Sequence, residues 1–139
     1  MVMRIRRIDH VNIQTRDLKG TAAFYADVLG LRAGDPPANL DPTQIQWMYQ
    51  EDGLPLFHLS RPGSMLEENA EALQASHTGA VHHVALECAG YEAMAARLTA
   101  LGIDHRTNAL PAIGLRQIFV YDPNRVLLEL NFPADPPRT

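Results

Sequence analysis

The chain has 139 residues, 46% of them hydrophobic and 20% charged, which suits one compact globular domain with a substantial core. A formal net charge of −4 without a concentrated basic surface argues against a nucleic-acid partner. No apolar stretch reaches the roughly 18–20 residues of a membrane span, the first residues lack a signal peptide's apolar core, and Cys88 alone allows no intrachain disulfide; a cytoplasmic location is the expectation.

In chain order, Arg4–Gln14 reads as a strand on Ile5, Val11 and Ile13, with Arg4, Arg6 and Arg7 as its solvated start. Thr15-Arg16-Asp17 is a polar turn, and Asp17 caps a helix over Leu18–Leu29 that carries Ala22, Phe24, Tyr25, Val28 and Leu29 at helical spacing. Gly30 stops that helix. A brief strand at Leu31–Gly34 precedes a Pro- and Asn-rich loop, Asp35–Pro42. An extended run over Gln44–Gln50 then turns at Asp52-Gly53 into a strand at Pro55–Ser60. After an acidic, helical-looking linker (Met65–Gln74 within 61–80), the order starts again. Strand Val81–Cys88 leads to helix Tyr91–Leu101, which Gly102 ends, and then to a short strand His105–Asn108. Leu115–Tyr121 follows and pairs across Asp122-Pro123-Asn124 with Val126–Phe132, and a Pro-rich tail is frayed.

The second half therefore repeats the first. Asp9-His10-Val11 is echoed by His82-His83-Val84 at a shift of 73, Leu29-Gly30-Leu31 by Leu101-Gly102-Ile103 at 72, and His58-Leu59 by Glu129-Leu130 at 71. A drift of one residue per landmark is what two diverged copies of one unit show: module one at about 4–60 and module two at about 81–132 of a single domain, 1–139. His10, His58, His83 and Glu129 occupy two pairs of equivalent positions, and all four residue types bind divalent metals.

Strand alternation divides each copy into two faces. Val11 and Ile13 oppose His10, Asn12 and Gln14, while Val84, Leu86 and Cys88 oppose His83, Ala85 and Glu87. The apolar face takes the helix, and the other lines a cleft if the two sheets curl towards each other. Parity puts Trp47, Tyr49, Gln117 and Phe119 on that second face, as an aromatic pocket with one amide or, for the first two, as plain core. Arg116 alternates away from it and His82 to the wrong side for ligation. His77 and His105 read as solvent-exposed, and Cys88 as a buried inert thiol.

The landmarks Asp9-His10-Val11, Asp17-Leu18, Phe24-Tyr25, Val28-Leu29-Gly30-Leu31, His83-Val84-Ala85-Leu86, Asp122-Pro123-Asn124 and Leu128-Glu129-Leu130 together resemble the vicinal oxygen chelate superfamily over roughly residues 5–132. That superfamily includes glyoxalase I, methylmalonyl-CoA epimerase, fosfomycin- and bleomycin-resistance proteins and extradiol dioxygenases. The resemblance implies an α+β fold in which paired βαβββ modules form an incomplete barrel around a metal cleft, commonly as a homodimer. It places His10 on the first ligand position, His83 on the third and Glu129 on the last. His58 falls on the remaining one, where many members carry Glu or Gln.

Three imidazoles and a carboxylate suit Fe²⁺, Mn²⁺, Co²⁺, Ni²⁺ or Zn²⁺ and leave about one net positive charge to polarise a substrate carbonyl and stabilise an enolate-like intermediate. Glu129 is then the base beside that carbonyl, with His58 as a second proton carrier. The expectation is a metal-dependent lyase or isomerase of glyoxalase or epimerase type acting on a small molecule. An extradiol-type dioxygenase needs only two His and one Glu, but Leu110–Tyr121 lacks the further histidine, and Phe119 stands at the expected tyrosine. A metal-free drug-binding protein remains the third alternative. A fosfomycin-type transferase also uses two His and a Glu, yet between Thr107 and Tyr121 no serine-rich loop or basic cluster awaits a phosphonate.

Overall fold

The computed structural model describes residues 2–63 and 81–134. The linker reading at Met65–Gln74, His77 and residues 135–139 of the tail lie outside them. The chain divides into two units, Met1–Leu73 and Gln74–Thr139. Among the described residues, no helix is long and apolar enough to cross a membrane.

The first unit runs β1 (Val11–Gln14), α1 (Leu18–Leu29), β2 (Arg32–Gly34), β3 (Ile45–Tyr49) and β4 (Pro55–Ser60). Its four strands lie in the order β1-β4-β3-β2, with β1 parallel to β4 and the other pairs antiparallel. The helix starts where expected, because the Asp17 carboxylate accepts the Gly20 N–H at 2.9 Å. It ends in a left-handed Gly30 (φ 70°), where the Gly30 and Leu31 N–H groups close on the Ala26 and Tyr25 carbonyls. Its buried positions, Leu18, Thr21, Ala22, Tyr25 and Val28, recur every three or four residues and face β3 and β4. There Tyr25 meets Phe57 at 4.6 Å between ring centroids, beside fully buried Met48 and Leu59. Each such side chain contributes about 1.5–3 kcal/mol by leaving water.

The second unit repeats this with β5 (Val84–Glu87), α2 (Tyr91–Ala100), β6 (His105–Leu110), β7 (Leu115–Tyr121) and β8 (Leu127–Pro133), in the order β5-β8-β7-β6. Ile118, Leu128, Leu130 and Leu98 are fully buried, and Tyr91 of α2 meets Phe132 edge-on at 5.4 Å. Arg116 is on this helix-bearing face, as alternation indicated, 2.8 Å from Glu92 and stacked 4.0 Å over Tyr91. Cys88 is half-buried, and loss of water pushes its thiol up from the ordinary value, with Glu87 adding to the effect.

The opening strands of both units are shorter than their hydrophobic pattern suggests. The ladder to β4 covers only Val11–Gln14 against Phe57–Ser60, and Pro55 just upstream has no N–H to extend it. Arg4–His10 consequently carry no strand, and Ile5 and Ile8 are exposed. Likewise β5 pairs only over Val84–Glu87, because β8 begins at Leu127 after the Asp122 turn. A 3-10 turn at Pro111–Ile113 closes the β6–β7 hairpin.

Candidate metal centre

Cross-strand register sets the functional face of each sheet. In the first unit Asn12, His58, Trp47 and Gly34 form one row across β1, β4, β3 and β2, opposite the helix face. In the second the matching row is Ala85, Glu129, Phe119 and Arg106. His58 and Glu129 thus hold the same place in two copies of one sheet, as do Trp47 and Phe119.

His58 is the middle ring of a stack. His10 lies 3.6 Å from it at 12° and Trp47 4.0 Å from it at 7°. An imidazole lone pair lies in the ring plane, so neighbours that offer their faces bring no donor to it. Accordingly the His58 Nε2 is buried without a hydrogen-bond partner among the described residues. Burial holds His58 below the ordinary histidine range, reinforced by the His10 charge and opposed by Asp9 and by a backbone hydrogen bond at Pro55. The ring is neutral at pH 7, with an acceptor nitrogen that meets no donor among the described residues.

His10 immediately precedes β1. Its Nδ1 lies 2.7 Å from the Asp9 Oδ2, and this bond, first among several causes, holds Asp9 below the ordinary carboxylate range. With Nδ1–H engaged by a carboxylate, the acceptor of a neutral His10 is Nε2, the arrangement typical of metal-binding histidines. In the second unit His83 is similar. Its Nδ1 is 2.9 Å from the His82 Nδ1, and its Nε2 faces the Glu129 Oε2 at 3.8 Å. Asp9 and His82 are the orienting partners that strand parity alone did not single out, and the only signal for them is adjacency to the two histidines. His105, expected to be solvent-exposed, is instead half-buried, with Nδ1 2.9 Å from the Ile103 carbonyl, because the chain turns back there into β6.

The other expected site residues fall on the functional faces. Trp47 stacks on His58, and Tyr49 donates its hydroxyl to the Asp35 carbonyl at 3.2 Å with Arg32 4.5 Å over its ring. Phe119 sits opposite Glu129 and borders a cavity of about 220 Å³ lined also by Arg106, Tyr121 and Leu127. Gln117, 8% exposed, uses both ends of its amide on Asn108 and Asn131. His10 and His58 are brought together in one unit, and His83 and Glu129 in the other. Within neither unit do three His, Cys, Asp or Glu side chains gather as a metal cluster among the described residues.

The profile of the Glyoxalase/Bleomycin resistance protein/Dioxygenase superfamily matches residues 7–130, nearly the whole of both units. The chain belongs to this superfamily. The superfamily member is 28% identical over 128 residues to the uncharacterized protein YwbC of Bacillus subtilis (strain 168), covering 89% of this chain and 95% of that protein. Its fold is similar to that of a mutant of the fosfomycin resistance protein FosX from Listeria monocytogenes complexed with Mn(II) and 1S,2S-dihydroxypropylphosphonic acid (TM-score 0.65, 18% identity, 94% of this chain and 93% of that one). It is likewise similar to lactoylglutathione lyase from Agrobacterium tumefaciens (TM-score 0.63, 19% identity, 94% and 96% of the two chains). The glyoxalase-like fold, expected from the resemblance, is thereby established for this superfamily member, with two open sheets.

Proposed function

We propose that this protein is a divalent-metal-dependent lyase or isomerase of small molecules, with His10, His58, His83 and Glu129 as its candidate donors. The observation that carries the reading is the buried, unpartnered Nε2 of His58. A neutral imidazole nitrogen left without a donor costs about 1–3 kcal/mol, a cost that a cation removes. Two further features support it. His10 engages Nδ1 with the Asp9 carboxylate, which leaves Nε2 as the acceptor of its neutral ring, and His83 engages Nδ1 with His82. The 3.8 Å between the His83 Nε2 and the Glu129 Oε2 is too long for a hydrogen bond. Yet two donors, each about 2.1 Å from one ion, lie roughly 3.0–4.2 Å apart.

When bound, a divalent ion supplies Lewis-acid polarisation of a substrate carbonyl. Glu129 accepts the proton from the adjacent carbon and returns it to the isomerised or cleaved product. His58, neutral at pH 7, is the fourth donor or, uncommitted, the second proton acceptor. Trp47, Tyr49, Gln117 and Phe119 are the candidate substrate-binding residues, whose rings exclude water from the reacting carbon. Mn²⁺ is the first ion to try, since FosX was captured with it; Fe²⁺, Co²⁺, Ni²⁺ and Zn²⁺ suit the same donors. The reading includes a homodimer, favoured by Val2, Met3, Ile5 and Ile8, each more than 80% exposed.

Metal analysis of the purified protein, paired with proton–deuterium exchange beside a carbonyl in D₂O, tests the proposal. Stoichiometric metal that is lost in His83→Ala, with exchange and no oxygen consumption, is the expected result. Catechol turnover with oxygen uptake selects the dioxygenase instead. A metal-free protein indifferent to His83→Ala selects the binding protein.

A further inference from the structure

We propose that Asn131, Gln117 and Asn108 are positioning residues. They form a directed ladder of side-chain amides that fixes the Glu129 carboxylate for cation binding, an assignment that rests on the metal reading above. Three hydrogen bonds run across three strands: Asn108 Nδ2 to Gln117 Oε1 at 2.9 Å, Gln117 Nε2 to Asn131 Oδ1 at 2.9 Å, and Asn131 Nδ2 to Glu129 Oε2 at 3.0 Å. The register explains the run, since Asn108 is opposite Gln117 and Gln117 opposite Asn131, on the face that carries Glu129.

The ladder can point only one way. An ionised carboxylate has no proton to give, so Asn131 must turn its NH₂ towards Glu129. Its carbonyl then faces Gln117 and requires the Gln117 NH₂, and the same constraint passes to Asn108. Every amide is thereby fixed by the group at the end of the row, and each bond polarises the next towards that group. Both contacts fall on Oε2, so the ladder fixes the oxygen that faces the His83 Nε2.

The first unit shows that the fold does not need this device. The register partners equivalent to Gln117 and Asn131 are Ile45 and Ser60. Ile45 is apolar and buried, and the Ser60 hydroxyl donates to Asn12 at 3.0 Å instead of reaching His58. The same sheet position is apolar where the row ends in an imidazole and an amide where it ends in a carboxylate. The amides therefore belong to the carboxylate.

The test uses the full chain with Mn²⁺ as probe, free Mn²⁺ being read by electron paramagnetic resonance, and the ¹³C resonance of the Glu129 carboxyl in the metal-free protein. Asn131→Leu is expected to weaken Mn²⁺ binding by roughly 10–100-fold and Gln117→Leu by about tenfold, at a thermal midpoint close to wild type. Ser60→Ala, at the matching position of the first unit, leaves affinity unchanged. Both ladder variants shift the Glu129 resonance, although Gln117 does not touch that residue. A Gln117→Leu protein whose Glu129 resonance stays in place overturns the ladder, whether or not metal binds. Wild-type protein that ignores Mn²⁺ and the related ions overturns the metal reading instead. Should either leucine variant fail to fold, Gln117→Met, close to glutamine in length and uncharged but unable to donate, supplies the same readouts.

Discussion

Replacing His58 by phenylalanine should leave the metal-free protein close to wild-type stability while removing its response to metal. The substitution deletes a buried nitrogen without a partner, worth about 1–3 kcal/mol. It keeps an aromatic ring between His10 and Trp47, whose centroids now stand 3.6 and 4.0 Å away. The six-membered ring is slightly larger, and overpacking returns about 1 kcal/mol of that gain. Loss of the His58 hydrogen bond to the Pro55 backbone takes back about 1 kcal/mol more, so metal-free stability stays within about 1 kcal/mol of wild type. Urea unfolding in the presence of EDTA measures the first arm. In the second, Mn²⁺ at a hundred times its Kd raises wild-type stability by about 2.7 kcal/mol, and His58→Phe gains far less. A variant more than about 2 kcal/mol less stable than wild type in EDTA would refute the reasoning, because it would mean that the Nε2 finds a partner in solution.

Two further predictions follow from particular residues. The His58 pKa is lower in the folded protein than the ordinary value of about 6.5, so the unfolded chain binds the proton more readily and metal-free stability falls as pH drops below about 6.5. The loss ends once pH has passed the folded pKa, and His58→Phe flattens the slope in that window. Asp9, Asp41 and Asp52 are instead held low, chiefly by His10, Thr43 and the Leu54 N–H respectively, so their contribution is complete above the ordinary carboxylate range and is lost only in stronger acid. Unfolding curves at half-unit pH steps separate the two windows. Asp122→Ala should cost about 2–3 kcal/mol by equilibrium unfolding, since the buried Asp122 Oδ1 accepts the Asn124 and Val126 N–H groups, both at 2.8 Å. A cost under about 0.5 kcal/mol would show that the β7–β8 turn satisfies those groups otherwise.

The elements with strong local chemistry were legible from the sequence. Asp17 and Gly30 bracket α1, and β4 and β7 fall on their expected bounds. Alternation also placed Trp47, Gln117 and Phe119 on the faces of His58 and Glu129. The limits of β1 and β5 were not legible, because a strand lasts only as long as its partner, and the partner's length is a property of the sheet. The amide ladder was hidden for a related reason. Asn108, Gln117 and Asn131 are unremarked singly, and only the register of three strands lines them up. The stack on His58 likewise joins residues 10, 47 and 58, whose ring planes no periodicity describes.

The contrast between the two rows has a consequence for engineering. A protein assembled from two second units would gain a pair of carboxylates and lose the insulated imidazole. One assembled from two first units would carry a second imidazole where Glu129 now stands. Neither symmetric assembly would reproduce the present electrostatics, which need one half of each kind. Recombining halves across relatives can therefore preserve the scaffold while erasing whatever selectivity it now has.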